Sequence, residues 1–512
     1  MRYARNAQRA SRGALAMNPP GVNSRLARQA FWAVLLAALA AAGASVARAQ
    51  DKSMPASKVE RLNRAPVNKE ILRVQLPRPT VVKLKNGLTL VLLEDHKLPT
   101  VSFMMRIRPG QLADPNDLPG LASFTASMLR EGTGRRTSAQ IAGEVDSLGA
   151  SLAANSNFGM SYTSVTASGL IDNAPQILDL MSDIVLHPAF PAAELAQYKQ
   201  RAAANLQQNL ANPGFLAQQA LHRVLYGEPP LSVTSPTKES IEKVAAADLK
   251  NFHDQHYRPG STLLGAAGDF KTAEMRALIE KYFGDWTGAA EPPMALPKTP
   301  APPPAKITLV DRPASVQAYI VGGDRAIRRT DPDYYTLVVM NQILGGGAQS
   351  RLFLDLREEH GYTYGSYSAI NAELYPGDWR ATAPVRTPVT EGSMTQFVYE
   401  FKRINNEPVP QAELDDARRA LVAGFALSLE QPSQMLEDWL TTQYFGLPAD
   451  YWDNYPDHIV AVDAAAVQAA AKKYVDLDRM QWICVGDRKQ IQDVLAKYGS
   501  VTVVDAEGKP EN

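Results

Sequence analysis

The stretch of sequence that decides the fold is GLASFTASMLREGT, residues 120–133. Its apolar side chains at Leu121, Phe124 and Met128 follow the spacing of an amphipathic helix. Gly132 is typical of the position just past a helix end. The stretch therefore predicts a helix that is packed on one side and ends before Gly132.

One face of this predicted helix has chemically inert side chains. Residues three and four apart are neighbours on a helix, so Ser123, Ala126 and Ser127 share a face. A zinc peptidase of the inverted type carries His, Glu and His there, two imidazoles for the metal and a carboxylate that deprotonates the bound water. The frame G-L-A-x-x-x-x-x-M-L-x-x-G-T resembles the insulinase/pitrilysin family (the inverzincins). The resemblance implies a zinc-site scaffold whose ligands have been replaced.

A long helix that opens after Phe190-Pro191 is the second part of the implied zinc site. In active members of the family it supplies the third ligand from an E-x6-E pattern. In this chain those two positions are Tyr198 and Asn205, and Glu194 is out of phase. Glu194 is interpreted as a first-turn carboxylate, which the helix dipole favours. We therefore predict no metal in this chain, and no peptide cleavage by the chain alone.

The second informative motif is LGGGAQSRLFLDLREEHGYTY, residues 344–364. It resembles the family's second-domain signature almost residue for residue. The resemblance implies that Arg357 and Tyr364 face the zinc site across a cavity, bind substrate and stabilise the tetrahedral oxyanion. Both side chains are hydrogen-bond donors suited to developing negative charge. The alternatives are a surface Arg–Glu pair with a core tyrosine, Tyr362 in place of Tyr364, and His360 as simple charge at a helix C-terminus.

Three glycines, Gly345, Gly346 and Gly347, open this motif and are predicted to contribute to substrate binding. They also let the backbone approach another surface closely. A phosphate cradle is disfavoured because the G-x-x-x-x-G-K-[S/T] pattern is missing. A serine hydrolase is disfavoured as well, because Ser123 and Ser127 have neither S-x-x-K spacing nor a G-x-S-x-G frame.

Two further candidates have a structural interpretation. His253 and His256 are spaced to share an ion, but the family resemblance makes His256 part of a structural H-Y-x-P step, and no other ligand cluster accompanies the pair. Cys484 is the only cysteine, so no internal disulfide can form. It lies in a predicted strand, where a buried thiol is expected.

The first 49 residues predict a secretory signal peptide. They contain seven Arg and no Lys, Asp or Glu. Within them, Arg25 and Arg28 precede an apolar run from Phe31 to Ala44 and an Ala-Arg-Ala cleavage site at 47–49. An uncleaved amphipathic anchor is the alternative, and Met17 is a second candidate start. Without the leader, 46 basic side chains face 53 acidic ones, a net charge of −7 that gives no support to nucleic-acid binding. A periplasmic or secreted protein with no stable membrane insertion is expected.

The rest of the chain divides into two halves. We predict an N-terminal arm at 50–76, a first domain at 77–288, a Pro-rich linker at 289–305, a second domain at 306–505 and a tail at 506–512. Gly268-Asp269 and Gly486-Asp487 each close a strand before a helix, which indicates homologous halves. The expected fold class is α+β, with a mostly antiparallel sheet packed with helices in each half. The family resemblance implies a clam-shell arrangement.

Three local signals predict individual elements. Asn86-Gly87 between apolar runs predicts a hairpin. Thr137 with Gln140 predicts a capping box. Periodic apolar residues predict a helix over 174–186.

Two functions fit this sequence best, and a third, an active metallopeptidase with unusual ligands, is disfavoured. In the first, the chain is the non-metal subunit of a two-chain periplasmic peptidase whose partner carries His-x-x-Glu-His and the zinc. In the second, it is an inactive protein of the same fold that binds peptides or assembles with other chains.

Overall fold

The structure is a computed structural model that describes Arg73, residues 75–288, Leu296, Pro300, Ala301 and residues 303–511. The predicted signal peptide, and most of the predicted arm and linker, lie outside the described residues. Within the described residues, no helix is both long and apolar enough to cross a membrane.

Each half of the chain forms one six-stranded, mostly antiparallel sheet. The first sheet has the order β1-β2-β6-β3-β5-β4 and the second the order β12-β7-β11-β8-β10-β9. The strands of the first sheet are β1 Thr80–Lys83, β2 Thr89–Glu94, β3 Thr100–Ile107, β4 Ser151–Asn155, β5 Thr163–Leu170 and β6 Thr262–Gly268. Those of the second are β7 Lys306–Asp311, β8 Gln317–Arg325, β9 Tyr367–Ile370, β10 Asp378–Arg386, β11 Gln481–Gly486 and β12 Val501–Val504. The α+β fold class is confirmed.

Helices pack around both sheets. In the first half they are α1 Leu121–Met128, α2 Ser138–Ser147, α3 Ala174–Leu186, α4 Ala192–Leu210, α5 Pro213–Tyr226, α6 Lys238–Lys243, α7 Ala246–His256 and α8 Thr272–Phe283. In the second half they are α9 Tyr334–Leu344, α10 Arg351–Phe353, α11 Thr390–Asn406, α12 Gln411–Ser428, α13 Pro432–Phe445, α14 Tyr455–Ala461, α15 Ala464–Tyr474 and α16 Arg488–Leu495.

The two sheets repeat the same arrangement except at one edge. β6 lies between β2 and β3, as β11 lies between β7 and β8. The first sheet takes its edge strand β1 from an antiparallel N-terminal hairpin, whereas the second takes β12 from the C-terminal segment, parallel to β7. The repeat expected from the two Gly-Asp pairs is therefore present at the level of topology.

The halves are joined by an exchange of helices as well as by the chain connection between them. α5 of the first half packs on the second sheet, where Leu221 lies against Gly323 of β8. α13 of the second half packs on the first sheet, where Leu436 lies against Gly265 of β6. In both places a glycine leaves room for a leucine of the other half.

The local predictions are confirmed. β1 and β2 form an antiparallel hairpin across Asn86-Gly87, and Gly87 has a φ of +98°. Thr137 and Gln140 form the capping box of α2. α3 has the predicted limits because Ile177, Leu178 and Met181, with their neighbours on that face, are buried in the first core.

Candidate functional site

Helix α1 is held by a buried carboxyl group. The two carboxyl oxygens of Asp114 accept hydrogen bonds from the backbone N–H groups of Gly120, at 2.6 Å, and Ala122, at 2.7 Å. Burial raises the pKa of Asp114 to about 7. Gly120 has a φ of +94°, which a residue with a side chain adopts only with strain. The start of α1 is therefore fixed, and with it the direction of its open face, the face that carries Ser123, Ala126 and Ser127.

The open face of α1 holds hydroxyl and methyl groups. Ser123 and Ser127 are half-buried and Ala126 is fully buried. The Tyr198 hydroxyl of α4 donates a hydrogen bond to Ser127 Oγ at 2.9 Å. The Tyr198 ring also meets the Phe124 ring edge-on, with centroids 5.1 Å apart. Tyr198 therefore links α4 to α1 at the place where the family resemblance puts the metal.

The second candidate ligand position on α4, after Tyr198, is Asn205. Asn205 lies about two turns further along the helix and is exposed. Its assignment as the third ligand position stays a prediction. Glu194 lies in the first turn of α4, as expected for a carboxylate at a helix N-terminus.

These residues do not fit a zinc ion. Zinc sites in proteins use thiolates, imidazoles and carboxylates, whereas Ser123, Ser127 and Tyr198 offer neutral hydroxyl groups. The Tyr198–Ser127 hydrogen bond also occupies two of those hydroxyls. In the parts of the chain that the structure describes, no group of three metal-binding side chains includes a residue of α1 or α4.

Restoring the missing ligands tests this interpretation. The variant with Ser123→His, Ala126→Glu, Ser127→His and Asn205→Glu should bind one more equivalent of zinc than the parent chain, measured after dialysis. The test does not require peptide cleavage to return, because side chains that would orient the new ligands, such as Tyr198, also differ from those of active family members. A folded quadruple variant with no additional zinc would show that the assumed register of α4 is wrong.

The glycine segment 345–347 allows one close backbone contact. A side chain at Gly345 would lie 2.4 Å from the backbone nitrogen of Ser368, which itself donates a hydrogen bond to Gly345 O at 2.8 Å. This joins the end of α9 to β9. Gly346 is exposed and Gly347 half-buried, and a substrate-binding role for the three stays a prediction.

Arg357 lies just after α10 and is partly exposed. Its side chain is 45% exposed, its Nε is 3.4 Å from Glu358 Oε1, and its guanidinium lies 5.0 Å from the Phe353 ring centroid. A charged side chain packed on an aromatic ring keeps a defined direction while its N–H donors stay accessible. Arg357 is therefore available to a ligand or to another chain.

The two tyrosines of the motif differ sharply in exposure. Tyr364 is 90% exposed. Tyr362 is half-buried, with its ring 5.1 Å from that of His360 and its hydroxyl close to Gly392. A core role for Tyr364 does not agree with its exposure, and of the two hydroxyls the Tyr364 group is the accessible one. Among the described residues, no hydrogen bond or cation–π contact joins Arg357 to Tyr364.

The remaining candidates have structural roles. His253 is buried and its Nε2 lies 2.8 Å from the carbonyl oxygen of Val185, and burial lowers its pKa. Cys484 is fully buried in β11, and burial raises the pKa of its thiol to about 12. Neither group is available for metal binding or nucleophilic chemistry.

A polar cavity of about 330 Å³ lies between the halves, and no sequence pattern predicted the residues that line it. Arg106 of β3 forms an ion pair with Glu437 of α13 and a 3.2 Å hydrogen bond with Thr441. Ser161 Oγ donates to Glu373 Oε2 at 3.1 Å across the same junction. These contacts need residues far apart in the sequence, so no local pattern could predict them.

Glu373 gives this junction a pH dependence. Burial raises the pKa of Glu373 to about 7, so the folded state keeps a proton that the unfolded state loses near pH 4.5. The contribution of this group to stability is therefore present below about pH 4.5 and is lost as the pH rises to about 7. Glu373→Gln should remove that slope. Denaturation of both proteins from pH 4 to 8 should show the variant gaining stability relative to the parent as pH rises, and a constant difference would contradict the assignment.

Two models of one peptidase family match the sequence. Residues 89–235 match the model described as insulinase (peptidase family M16), and residues 243–421 match the model described as peptidase M16 inactive domain. The second match crosses the linker and begins in the first half, ahead of β6.

Similar proteins agree with these matches. An uncharacterized zinc protease, YmxG, of Bacillus subtilis is 23% identical over 69% of this chain and 85% of its own length. A probable mitochondrial-processing peptidase subunit beta of Arabidopsis thaliana is 24% identical over 78% of this chain and 76% of its own.

The fold is shared with solved structures. A peptidase M16 inactive domain from Pseudomonas fluorescens superposes with a TM-score of 0.74 at 28% identity, covering 80% of this chain and 98% of that one. A protease from Helicobacter pylori gives a TM-score of 0.74 at 17% identity, covering 80% of this chain and 100% of that one.

Two repeated α+β halves that match these models and structures define a metallopeptidase homologue with the inactive-type peptidase fold. The chain belongs to the insulinase family, peptidase family M16.

Proposed function

We propose that this chain is the non-metal subunit of a two-chain peptidase of the periplasm. Its partner carries the His-x-x-Glu-His motif and holds the zinc, and this chain contributes Arg357 and Tyr364. The substrate class is a peptide or an unfolded protein.

The observation that carries this proposal is the contrast between two sites in one chain. The open face of α1 offers only Ser123, Ala126 and Ser127, which do not fit a metal. The motif of the second half keeps Arg357 and Tyr364, and both are exposed. A chain that retains donors for substrate but lacks a hydrolytic centre is useful to catalysis only beside a chain that supplies one.

The chemistry of the pair suits acyl transfer. Attack on a peptide carbonyl places negative charge on its oxygen, and hydrogen-bond donors positioned at that oxygen lower the barrier. The Arg357 guanidinium is permanently charged and the Tyr364 hydroxyl donates one hydrogen bond. Both would act on the carbonyl oxygen while the partner delivers the nucleophile.

Two further facts support a two-chain periplasmic assembly. One similar protein is named as a subunit of a processing peptidase. The leader at 1–49 has the charge and apolar pattern of a secretory signal.

The second candidate is an inactive protein that holds peptides or assembles with other chains. It is favoured by the description of the model that matches residues 243–421, an inactive domain. In this case peptides would bind, but neither the chain alone nor its complex would hydrolyse them.

Co-purification decides between the two. The chain should be expressed alone and together with a His-x-x-Glu-His subunit encoded in the same genome, and peptide cleavage and zinc content measured for each. The proposal expects cleavage by the complex and none by this chain alone. A stable complex that binds peptides without cleaving them would favour the second candidate.

A further inference from the structure

The chain changes helix type at Leu354, directly after α10. Residues Leu354–Glu359 continue α10 as a π-helix, and the backbone N–H of His360 bonds to Asp355 O at 3.0 Å. Such i to i+5 bonds put more residues into each turn than an α-helix has, so positions i+4 and i+5 flank position i. Short π-helical turns occur often at functional sites.

The wide turn gathers three metal-binding side chains. Asp355, Glu359 and His360 each offer one ligand atom, and these atoms all lie within 4.8 Å of one another. They form the one such group in the parts of the chain that the structure describes. In a regular α-helix, His360 would point away from Asp355, so the group depends on the π-helical turn.

The Asp355 carboxyl is buried beside His360. The residue is 5% exposed, and its Oδ1 makes no hydrogen bond. That oxygen lies 2.7 Å from His360 Nδ1, but the Nδ1 hydrogen bond goes to the Asp355 backbone oxygen at 3.1 Å. Oδ1 and Nδ1 thus form a close Asp–His pair, and a cation bound to both atoms would take the place of the proton between them.

The neighbouring arginines form their ion pairs with other carboxylates. Arg351 is paired with Glu413 at 2.8 Å, and Arg403 is paired with Glu400 at 3.0 Å. Among the described residues, Glu359 forms no ion pair. Within those residues, no Lys or Arg forms an ion pair with Asp355 or Glu359, and Asp355 is paired with His360.

The far side of the imidazole has a suitable partner. His360 Nε2 lies 3.3 Å from the carboxamide of Gln396 on α11. Histidines that bind a metal through one nitrogen usually donate the other N–H to a nearby oxygen, and the two ends of a carboxamide are interchangeable by rotation. With Nδ1 on a cation, Nε2–H can donate to Gln396 Oε1.

We propose that Asp355, Glu359 and His360 form a binding site for a divalent transition-metal cation, with zinc as the preferred ion. One imidazole and two carboxylates make a ligand set that zinc accepts, with water completing the coordination. The ion would fix the π-helical turn that carries Arg357 and the segment that leads to Tyr364. This site is separate from the face of α1 that carries Ser123, Ala126 and Ser127, which stays without a metal, and it does not depend on a partner chain. It departs from the expectation that the chain as a whole binds no metal, and it assigns the ion a structural role and not a catalytic one.

The test uses the isolated full chain. After removal of metal with a chelator, the protein is titrated with ZnCl2 and followed by calorimetry and by its thermal midpoint. The expected result is one equivalent bound and a higher Tm, because a ligand that binds only the folded state stabilises it. Asp355→Asn and His360→Gln should each weaken zinc binding at least tenfold, since loss even of a supporting residue costs about that much.

Two further variants make the result decisive. Glu359→Gln removes a charged ligand and should weaken zinc binding. Because Glu359 is exposed, the change should not affect folding. His96→Gln is the matched control, because His96 also lies beside carboxylates, 2.6 Å from Asp269 and 3.5 Å from Glu94, but belongs to no three-ligand group. It should bind zinc as the parent does. The proposal is overturned by a chain that binds no zinc, by unchanged binding in Glu359→Gln and His360→Gln, or by loss of binding in His96→Gln.

Discussion

A complex that carries Arg357→Ala should cleave its peptide substrate about 10²–10³ times more slowly than the parent complex, because removing one donor to an oxyanion typically has that effect. Tyr364→Phe, which deletes only the hydroxyl, should act in the same direction. In both variants the partner's zinc content and the amount of complex should be unchanged, since neither side chain is part of a core. The measurement is turnover at saturating substrate, with size-exclusion chromatography and metal analysis of the same samples.

Tyr399→Phe is the matched control for the tyrosine. Tyr399 is 52% exposed on α11 and lies outside the motif, so its variant should keep full activity. A complex with both Arg357→Ala and Tyr364→Phe that cleaves at the parent rate would remove these residues from the catalytic assignment. If no complex cleaves peptides, the second candidate function takes precedence.

The exchange of helices predicts the largest effect on stability. Leu436 is fully buried, and a side chain on Gly265 would lie 2.7 Å from its Cδ1. Leu436→Ala should lower the free energy of unfolding by about 2–5 kcal/mol, the usual range for truncating a buried leucine. Leu221→Ala, its counterpart on α5, should have a similar effect. Chemical denaturation followed by circular dichroism measures both.

Leu427→Ala provides the comparison for these two variants. Leu427 is 67% exposed on α12, so its truncation should change stability by no more than about 0.5 kcal/mol. If Leu436→Ala and Leu221→Ala were as mild as Leu427→Ala, the exchanged helices would contribute little to holding the halves together.

Elements with strong local signals could be predicted from the sequence. The apolar periodicity of 174–186, the Asn86-Gly87 turn and the Thr137 capping box each act within a few residues, so the chain nearby contains all the information needed. Motifs of fixed spacing located the exposed Tyr364 and the open face of α1. These signals do not depend on which distant segments come together.

Three features could not be predicted, for a common physical reason. The apolar faces of α5 and α13 indicate burial, but nothing local says that each lies on the other half's sheet. The Tyr198–Ser127 hydrogen bond joins two helices far apart in the chain. The π-helical turn has no sequence signature, so His360 was interpreted only as helix-end charge, and its proximity to Asp355 remained hidden.

The exchange of helices also determines when each sheet can be covered as the chain is synthesised. The outer face of the first sheet is covered by α13, which is synthesised long after β6. A chain that folds as it emerges from its N-terminus would therefore display an uncovered apolar sheet face until residues 432–445 had emerged. Expression of the first half alone should therefore yield an aggregating fragment, because the sheet face that α13 covers would stay exposed.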